Sequence, residues 1–410
     1  MSLFTINSET KNPSSVDGIW RRYGLWYITV VLLLSVLVAG VNAVVDPQGR
    51  ILIVEKPGFN EVKITPVNNR QGKARAIRQC AYDALILGTS RTETGIRVEQ
   101  RALADRYAYN AALKAATMYE IRRLVAYALE QRDLKTVVIG LDLTSFNSKG
   151  NGFDDFYESP LAESVSPNLL VRYLVSLQTL KQSYYTLKWN QRSYAQTCED
   201  RGEQITRRGA LPSTDIRTAF DFVLKRYASG QYYDYKMGEQ HLRYFAEALD
   251  DVQRAGIEAE VFIAPMHATH VELLREMEML DVYHDWKRAL VTMVADVNAR
   301  YPKVRPVELW DFSGYNRLTT EYVPSPQESI TMRWYKDSAH FNQDAGDLLM
   351  NEMFGLSPAE LGVRLTPASI EGHIEAEARA SNLYRAQNPA EIARLQEMLL
   401  YAPYPMFQPF

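Results

Sequence analysis

The stretch ALILGTSRT, residues 84–92, decides the fold class. ALIL is a short apolar run that ends at a glycine, which is typical of a strand buried in a parallel sheet. Gly88 permits a tight turn, so Ser90 is expected above the carboxyl edge of the sheet, the usual position of an α/β active site. A phosphate-binding loop is excluded, because Glu93 stands where that loop needs a glycine. The stretch therefore predicts an α/β domain with a serine at its reactive edge.

Four further stretches resemble strands and alternate with helical patterns. They are residues 107–110, TVVIGLD (136–142), EVFIAP (260–265) and VRPVELWDF (304–312). Helices are predicted at residues 119–131, 239–255, 270–300 and 343–354. This alternation predicts a mostly parallel sheet covered on both faces, and five strands in one layer favour a flavodoxin-like three-layer sandwich over residues 81–355.

Two regions lie outside the alternating pattern. A helical, tyrosine-rich insertion is predicted at about residues 150–255, with its best helix at 169–188, and we interpret it as covering the sheet. Residues 356–410 are predicted to form a helical tail, with amphipathic helices at 367–387 and 389–401. This tail either wraps the domain or serves as a docking strip for a membrane partner.

A long apolar segment, LWYITVVLLLSVLVAGVNAVV, occupies residues 25–45 and contains no charged residue. As a helix it would be about 31 Å long, which matches the hydrocarbon core of a bilayer. Arg21 and Arg22 precede it, so the positive-inside rule predicts residues 1–22 in the cytoplasm and the rest outside. In a bacterium this means a single-pass inner-membrane protein with a large periplasmic domain.

A cleavable signal peptide is the alternative interpretation of this segment, because residues 41–43 (VNA) resemble a small-residue cleavage site. The length of the apolar run favours an uncleaved transmembrane anchor at residues 23–45. A linker with a leading strand, ILIVE (51–55), is predicted to follow at residues 46–80.

The composition excludes several classes of protein. Lysine and arginine (46) nearly balance aspartate and glutamate (49), so the bulk charge does not indicate a nucleic-acid partner. The hydrophobic (46%) and charged (23%) fractions are those of a folded globular chain. Two cysteines, Cys80 and Cys198, are too few for a disulfide scaffold or a four-thiolate zinc site. Whether they pair in an oxidising compartment stays open.

A second reactive motif, KDSAHF, lies near the end of the domain. Asp337 and His340 are three residues apart, so the carboxylate is able to hold the imidazole Nδ1–H and leave Nε2 free to accept a proton. Serine is a weak nucleophile without such a base. The two motifs together predict a catalytic group of Ser90, Asp337 and His340.

This pair of motifs resembles the SGNH (GDSL-type) esterase and acyltransferase superfamily, over approximately residues 82–355. It is most similar to membrane-anchored members that work beside a membrane-bound O-acyltransferase and modify polysaccharides or teichoic acids. The resemblance implies an acyl-Ser90 intermediate, an acyl donor and a glycan acceptor. The apolar segment at residues 25–45 is expected to contact inner-membrane lipid. We expect no cofactor, metal or nucleic acid. Hydrolysis and transfer both remain open.

The sequence departs from the family pattern at two places. Thr89 replaces the usual aspartate before the serine, and Asp142 stands where an asparagine usually donates to the oxyanion. Since an ionised aspartate donates no hydrogen bond, Asn110 and Arg91 are the substitute candidates, unless both merely tie loops together. These departures leave a second hypothesis: a non-catalytic, SGNH-like accessory protein that binds glycan or scaffolds a membrane complex.

Two histidines and several aromatic side chains lie outside these motifs. His267 is predicted to line the pocket and His270 to open a helix; a metal at this pair lacks an evident third ligand. Aromatic side chains are clustered in the insertion and form either a carbohydrate groove or a packing surface. The clustered residues are Tyr184, Tyr185, Trp189, Tyr194, Tyr232, Tyr233 and Tyr235.

Overall fold

The computed structural model describes residues 13–63, 69–150, 152–163, 166–191, 198, 201–202 and 213–400. The chain divides into two compact units. The first combines residues 1–65 with 165–195, and the second combines residues 66–164 with 196–410.

The described residues contain six strands and fourteen α-helices. The strands are β1 (Ala84–Leu87), β2 (Ala108–Asn110), β3 (Thr136–Leu141), β4 (Glu258–Ile263), β5 (Glu308–Asp311) and β6 (Val363–Leu365). The helices are α1 (Pro13–Val45), α2 (Arg70–Gln79), α3 (Ser90–Gly95), α4 (Met118–Gln131), α5 (Asp154–Tyr157), α6 (Pro167–Val175), α7 (Leu177–Asn190), α8 (Ser213–Arg226), α9 (Glu239–Arg254), α10 (Ala268–Glu276), α11 (Leu280–Arg300), α12 (Gln343–Met353), α13 (Ile370–Gln387) and α14 (Pro389–Leu400).

One sheet organises the second unit, with the strand order β2-β1-β3-β4-β5-β6. All neighbouring strands are parallel except β6, which runs antiparallel to β5. The α/β class, the mostly parallel sheet and the five predicted strands are therefore confirmed. Because parallel strands end at the same edge, the segments after β1, β3 and β4 lie side by side.

The sheet separates two apolar cores, as the strand alternation requires. Leu85 and Val137 contribute to one core with α4, α9 and α11. Ile86 and Val138 contribute to the other with α8 and α12. Both faces of the sheet are thus covered by helices.

The predicted strand at residues 51–55 is wrong. The Asp46 carboxylate accepts hydrogen bonds of 2.9 Å from the backbone N–H groups of Arg50, Ile51 and Leu52. Leu52 also has a φ of 55°, which no extended strand tolerates. The chain is folded around a carboxylate here, so these N–H groups are not free to pair with a strand.

The insertion predicted at about residues 150–255 is divided between the two units. Residues 165–195 belong to the first unit, and their single predicted helix is two helices, α6 and α7. The break lies at Ser176, whose side chain accepts a hydrogen bond from the Thr179 N–H and so caps α7.

The C-terminal helices α13 and α14 match the two amphipathic helices predicted there, but β6 precedes them in a tail predicted to be wholly helical. On α13, Glu377 lies 2.7 Å from Lys287 Nζ, which also lies 2.7 Å from Asp311. This buried ion cluster joins α13 to α11 and β5. The proposed docking strip at residues 401–410 lies outside the described residues.

The first unit contains α1, in which residues Gly18–Val45 are long and apolar enough to cross a membrane or to act as a signal sequence. The C-terminal end of α1 contacts α6 and α7. Asn42 Nδ2 donates to the carbonyl oxygens of Leu174 (2.7 Å) and Ser176 (3.1 Å), and its Oδ1 accepts from Ser183 Oγ (3.0 Å).

A disulfide joins Cys80, directly after α2, to Cys198. It closes a loop with a sequence separation of 118 residues, so it removes much conformational freedom from the unfolded chain. Reduction is expected to lower the free energy of unfolding by about 2–4 kcal/mol.

This expectation is tested by urea unfolding with and without a thiol reductant. A variant with both Cys80→Ser and Cys198→Ser serves as the control, since its unfolding must not respond to the reductant. Two titratable thiols in the untreated, folded protein would contradict the pairing.

Candidate functional site

The turn after β1 presents Ser90. Gly88 has a φ of 150°, and a Cβ there would lie 2.3 Å from Thr92 Oγ1 and 2.8 Å from the Gly140 carbonyl oxygen. Only glycine fits this approach of β1, β3 and α3. Thr89 then caps α3 by accepting from the Arg91 N–H, which leaves Ser90 as the first helical residue.

Ser90, His340 and Asp337 form one chain of hydrogen bonds. Ser90 Oγ lies 2.9 Å from His340 Nε2, although 250 residues separate the two in sequence. His340 Nδ1 lies 2.8 Å from Asp337 Oδ2 and 3.0 Å from Oδ1. A nucleophile, a base and a group that orients the base are thus within direct reach of one another, as nucleophilic catalysis requires.

The Asp337 carboxylate is held in its charged form. Burial alone would raise its pKa, but the hydrogen bond and charge of His340 lower it, together with the N–H groups of Ala339 and His340. Those N–H groups lie 2.8 and 2.9 Å from Oδ1. Asp337 therefore stays an acceptor near neutral pH and fixes Nδ1 of His340 as the protonated nitrogen.

Thr89 and Asp142, the two residues that depart from the SGNH pattern, are joined by a hydrogen bond. Asp142, directly after β3, accepts a hydrogen bond from the Thr89 hydroxyl and forms an ion pair of 2.7 Å with Arg91 Nη1. All three side chains are buried. The Arg91 guanidinium also lies over the Tyr227 ring. Arg91 and Asp142 therefore form a buried ion pair, which does not support either as an oxyanion donor.

The Asn110 side chain holds a loop through hydrogen bonds to the backbone. This structural role is one of the two alternatives that the sequence left open for it. Its Nδ2 donates to the Ile96 carbonyl at 2.9 Å, and its Oδ1 accepts from the Ala112 N–H at 3.1 Å. The side chain is fully buried. The backbone N–H of Ser90, the first residue of α3, has no acceptor within its own helix.

His267 is buried, and both of its ring nitrogens have hydrogen-bond partners. Its Nδ1 accepts from the Thr269 N–H at 3.2 Å, and its Nε2 donates to the Glu321 carbonyl at 2.6 Å. The ring packs against Phe220 and Tyr335. Burial lowers the pKa of His267 to about 4, so the imidazole is neutral and joins two loops.

This buried histidine predicts an acid sensitivity of the second unit. Between the folded pKa of about 4 and the ordinary value of about 6.5, the unfolded chain binds a proton that the folded chain excludes. The free energy of unfolding therefore falls as the pH decreases through this window, by up to about 3 kcal/mol from His267.

Urea unfolding of the wild type and of His267→Gln at pH 7 and pH 5 measures this contribution. The variant is expected to lose less stability between the two pH values, whatever its stability at pH 7. An equal pH dependence in both proteins would show that His267 does not carry the effect.

The sequence did not indicate a buried chain of hydrogen bonds that ends at Ser338 in the KDSAHF motif. Tyr232 Oη lies 2.9 Å from His270 Nε2, and His270 Nδ1 lies 3.2 Å from Ser338 Oγ. Ser338 stands between Asp337 and His340, so this chain fixes the loop that carries both. His270 was expected to open a helix, but α10 begins at Ala268 with His267 as its N-cap, and His270 lies in its first turn. The sequence contains no local signal for the pairing of His270 with Tyr232.

One potential metal-ligand group occurs among the described residues: Asp311, His373 and Glu377, with ligand atoms within 4.8 Å of one another. The Lys287 ammonium already contacts both carboxylates and supplies the positive charge. The group is therefore explained as an ion cluster, and it does not include His267 or His270.

The aromatic clusters are divided between the two units. Tyr184, Tyr185 and Trp189 lie on α7 in the first unit, and Tyr194 lies outside the described residues. In the second unit, Tyr232 is buried, and the Tyr235 hydroxyl donates to the Leu143 carbonyl at 3.0 Å. Of this second cluster, Tyr233 is exposed.

No protein-family model matches this chain. No curated protein is significantly similar to it in sequence.

Proposed function

We propose that the protein is a membrane-anchored, SGNH-like serine ester hydrolase or O-acyltransferase that acts on acyl groups of a cell-envelope or extracellular polysaccharide. One observation carries the proposal: the continuous hydrogen-bonded chain from Ser90 through His340 to Asp337. An accessory protein needs no such chain, whereas a serine nucleophile needs every member of it.

The sheet supports the proposed family. Its order, β2-β1-β3-β4-β5, is that of flavodoxin-like sheets, and helices cover both faces. Ser90 follows the first strand, at the carboxyl edge where such sheets place their sites. This is the position expected for the nucleophile of an SGNH-like three-layer sandwich.

The first chemical step is attack on an acyl ester. Ser90 Oγ attacks the carbonyl carbon while His340 Nε2 takes the hydroxyl proton. The imidazolium that forms is stabilised by the Asp337 carboxylate. We assign the Ser90 N–H to the oxyanion, because Arg91 and Asn110 are committed elsewhere. Collapse of the intermediate gives acyl-Ser90 and releases the donor alcohol, which receives the proton from His340.

The second step decides between hydrolysis and transfer. His340 removes a proton from either water or a sugar hydroxyl, and that oxygen attacks the carbonyl carbon of acyl-Ser90. The bond between this carbon and Ser90 Oγ then breaks, and Oγ receives the proton from His340, which releases the free acid or the acylated sugar. A free esterase needs no anchor, but a transferase that receives acyl groups through a membrane partner does. We therefore favour transfer, with a membrane-bound O-acyltransferase as the donor's source.

The anchor is proposed to be α1, retained rather than cleaved. Cleavage after residue 43 would remove Asn42, whose side chain makes three hydrogen bonds to α6 and α7. Arg21 and Arg22 favour a cytoplasmic N-terminus. The Cys80–Cys198 disulfide favours an oxidising compartment, so the second unit is assigned to the periplasm.

The experiment that tests transfer measures where the acyl group goes. The full chain in detergent is given an activated acetyl ester, and free acetate and acetylated glycan are quantified at increasing acceptor concentration. We expect slow hydrolysis without acceptor and a growing share of acetylated glycan with it. Fast hydrolysis that no glycan alters would establish an ordinary esterase, and no turnover with either would favour the accessory protein.

A further inference from the structure

Helix α7 of the first unit packs with its polar side chains inward. The buried side chains of α7 are all polar, and the exposed face of α6 and α7 carries large apolar and aromatic side chains. The buried residues are Thr179, Ser183, Thr186 and Asn190. The exposed ones are Val171, Val175, Leu177, Tyr184, Tyr185 and Trp189. A helix that packs in water shows the opposite arrangement.

Small and polar side chains are typical of helix contacts within a bilayer. Lipid tails are as apolar as leucine, so burying apolar side chains between helices gives no hydrophobic driving force there. Asn42 joins α1 to α6 and α7 through three hydrogen bonds, and Ser183 is one of its partners. Leu177, by contrast, is 73% exposed. The packing inside the unit and the surface outside it both fit an apolar surrounding.

The length of α1 places this packing at membrane depth. Every side chain of α1 from residue 18 to 34 is exposed, and burial by other helices begins at Ser35. These 17 exposed residues extend about 25 Å and include the charged Arg21 and Arg22, so they do not fill a core of about 30 Å. A span from residue 25 to 45 therefore includes the stretch against which α6 and α7 pack.

The charge of the helix pair agrees with a lipid surface. Residues 166–191 contain three basic residues and no acidic one. Arg172, Lys181 and Lys188 are exposed beside the apolar side chains. Long basic side chains of this kind extend to anionic headgroups while their neighbours enter the acyl region, and tryptophan and tyrosine prefer that boundary.

We infer that α6 and α7 form a second membrane-binding element, with the exposed face of Leu177, Tyr184 and Trp189 inserted into the outer-leaflet boundary beside α1. This inference rests on the proposed anchor, since it assumes that α1 spans the bilayer. It goes beyond a single-span tether, because a bound helix pair would hold the first unit in one orientation at the membrane surface.

Nitroxide labels on single introduced cysteines test the inference. Leu33→Cys reports on α1, Leu177→Cys and Tyr184→Cys report on α7, and Phe222→Cys, an exposed aromatic position on α8 of the second unit, serves as the aqueous reference. The full chain is reconstituted in phosphatidylethanolamine–phosphatidylglycerol nanodiscs. Collision with lipid-soluble oxygen is compared with collision with a water-soluble nickel chelate.

We expect the ratio of oxygen collisions to nickel-chelate collisions at Leu33 and Leu177 to exceed the ratio at Phe222 several-fold. The ratio at Tyr184 is expected to lie between the high values and the value at Phe222. A lipid-like ratio at Leu33 together with the aqueous ratio at Leu177 and Tyr184 would overturn the second element and leave the anchor intact. An aqueous ratio at Leu33 as well would overturn the anchor and the inference together.

Discussion

Replacing Ser90 or His340 by alanine is expected to reduce acyl transfer by at least about a thousandfold. The two side chains lie 2.9 Å apart and act in the same proton transfer, so neither retains its function alone. The double variant is expected to be little worse than either single variant, because residues that act as a unit do not lose activity additively.

Steady-state turnover of an activated ester measures these losses, and circular dichroism confirms that each variant is folded. Ser357→Ala, which changes an exposed serine of the second unit, is the matched control and should keep full activity. A folded Ser90→Ala protein with unchanged turnover would reject the nucleophile and favour the accessory protein.

Removing Asp142 is expected to cause the largest loss of stability, about 3–5 kcal/mol for Asp142→Ala. The substitution leaves the Arg91 guanidinium buried without its carboxylate and removes the acceptor of the Thr89 hydroxyl. Arg91→Met combined with Asp142→Leu should recover much of that loss, because an apolar pair of similar volume carries no uncompensated charge.

Urea unfolding of the full chain in detergent, followed by tryptophan fluorescence, measures the difference. Trp286, Trp310 and Trp334 lie in the second unit and report on it. Asp250→Ala, which changes a carboxylate paired with two exposed arginines, is the control and should cost less than about 1 kcal/mol. An equally small loss for Asp142→Ala would contradict the buried ion pair.

The approach of Ser90, His340 and Asp337 to one another is predictable from the sequence because the signals there are local. A short apolar strand that ends in Gly88 places Ser90 at the edge, and the three-residue spacing of Asp337 and His340 allows their hydrogen bond. Parallel strand topology then brings both ends of the domain to one edge. These relations depend on chain direction and spacing, which a sequence displays directly.

The remaining features depend on partners that are distant in sequence. In the sequence, Arg91 and Asp142 each resemble a charged residue with a functional role, but in the structure they form an ion pair with each other. Residues 41–43 resemble a cleavage site, yet Asn42 joins α1 to helices more than 130 residues away. Residues 51–55 have strand composition, but the Asp46 carboxylate binds the N–H group of Ile51 and those of its neighbours.

The formation of acyl-Ser90 is tested most directly by mass spectrometry of the peptide that contains this serine. The full chain is mixed with an activated acetyl ester, quenched in acid within seconds and digested with trypsin after reduction. We expect one added acetyl group on the peptide from Gln79 to Arg91, located on Ser90 by fragmentation and absent from Ser90→Ala. Consumption of the ester without acetyl on Ser90, or the same label in Ser90→Ala, would contradict it.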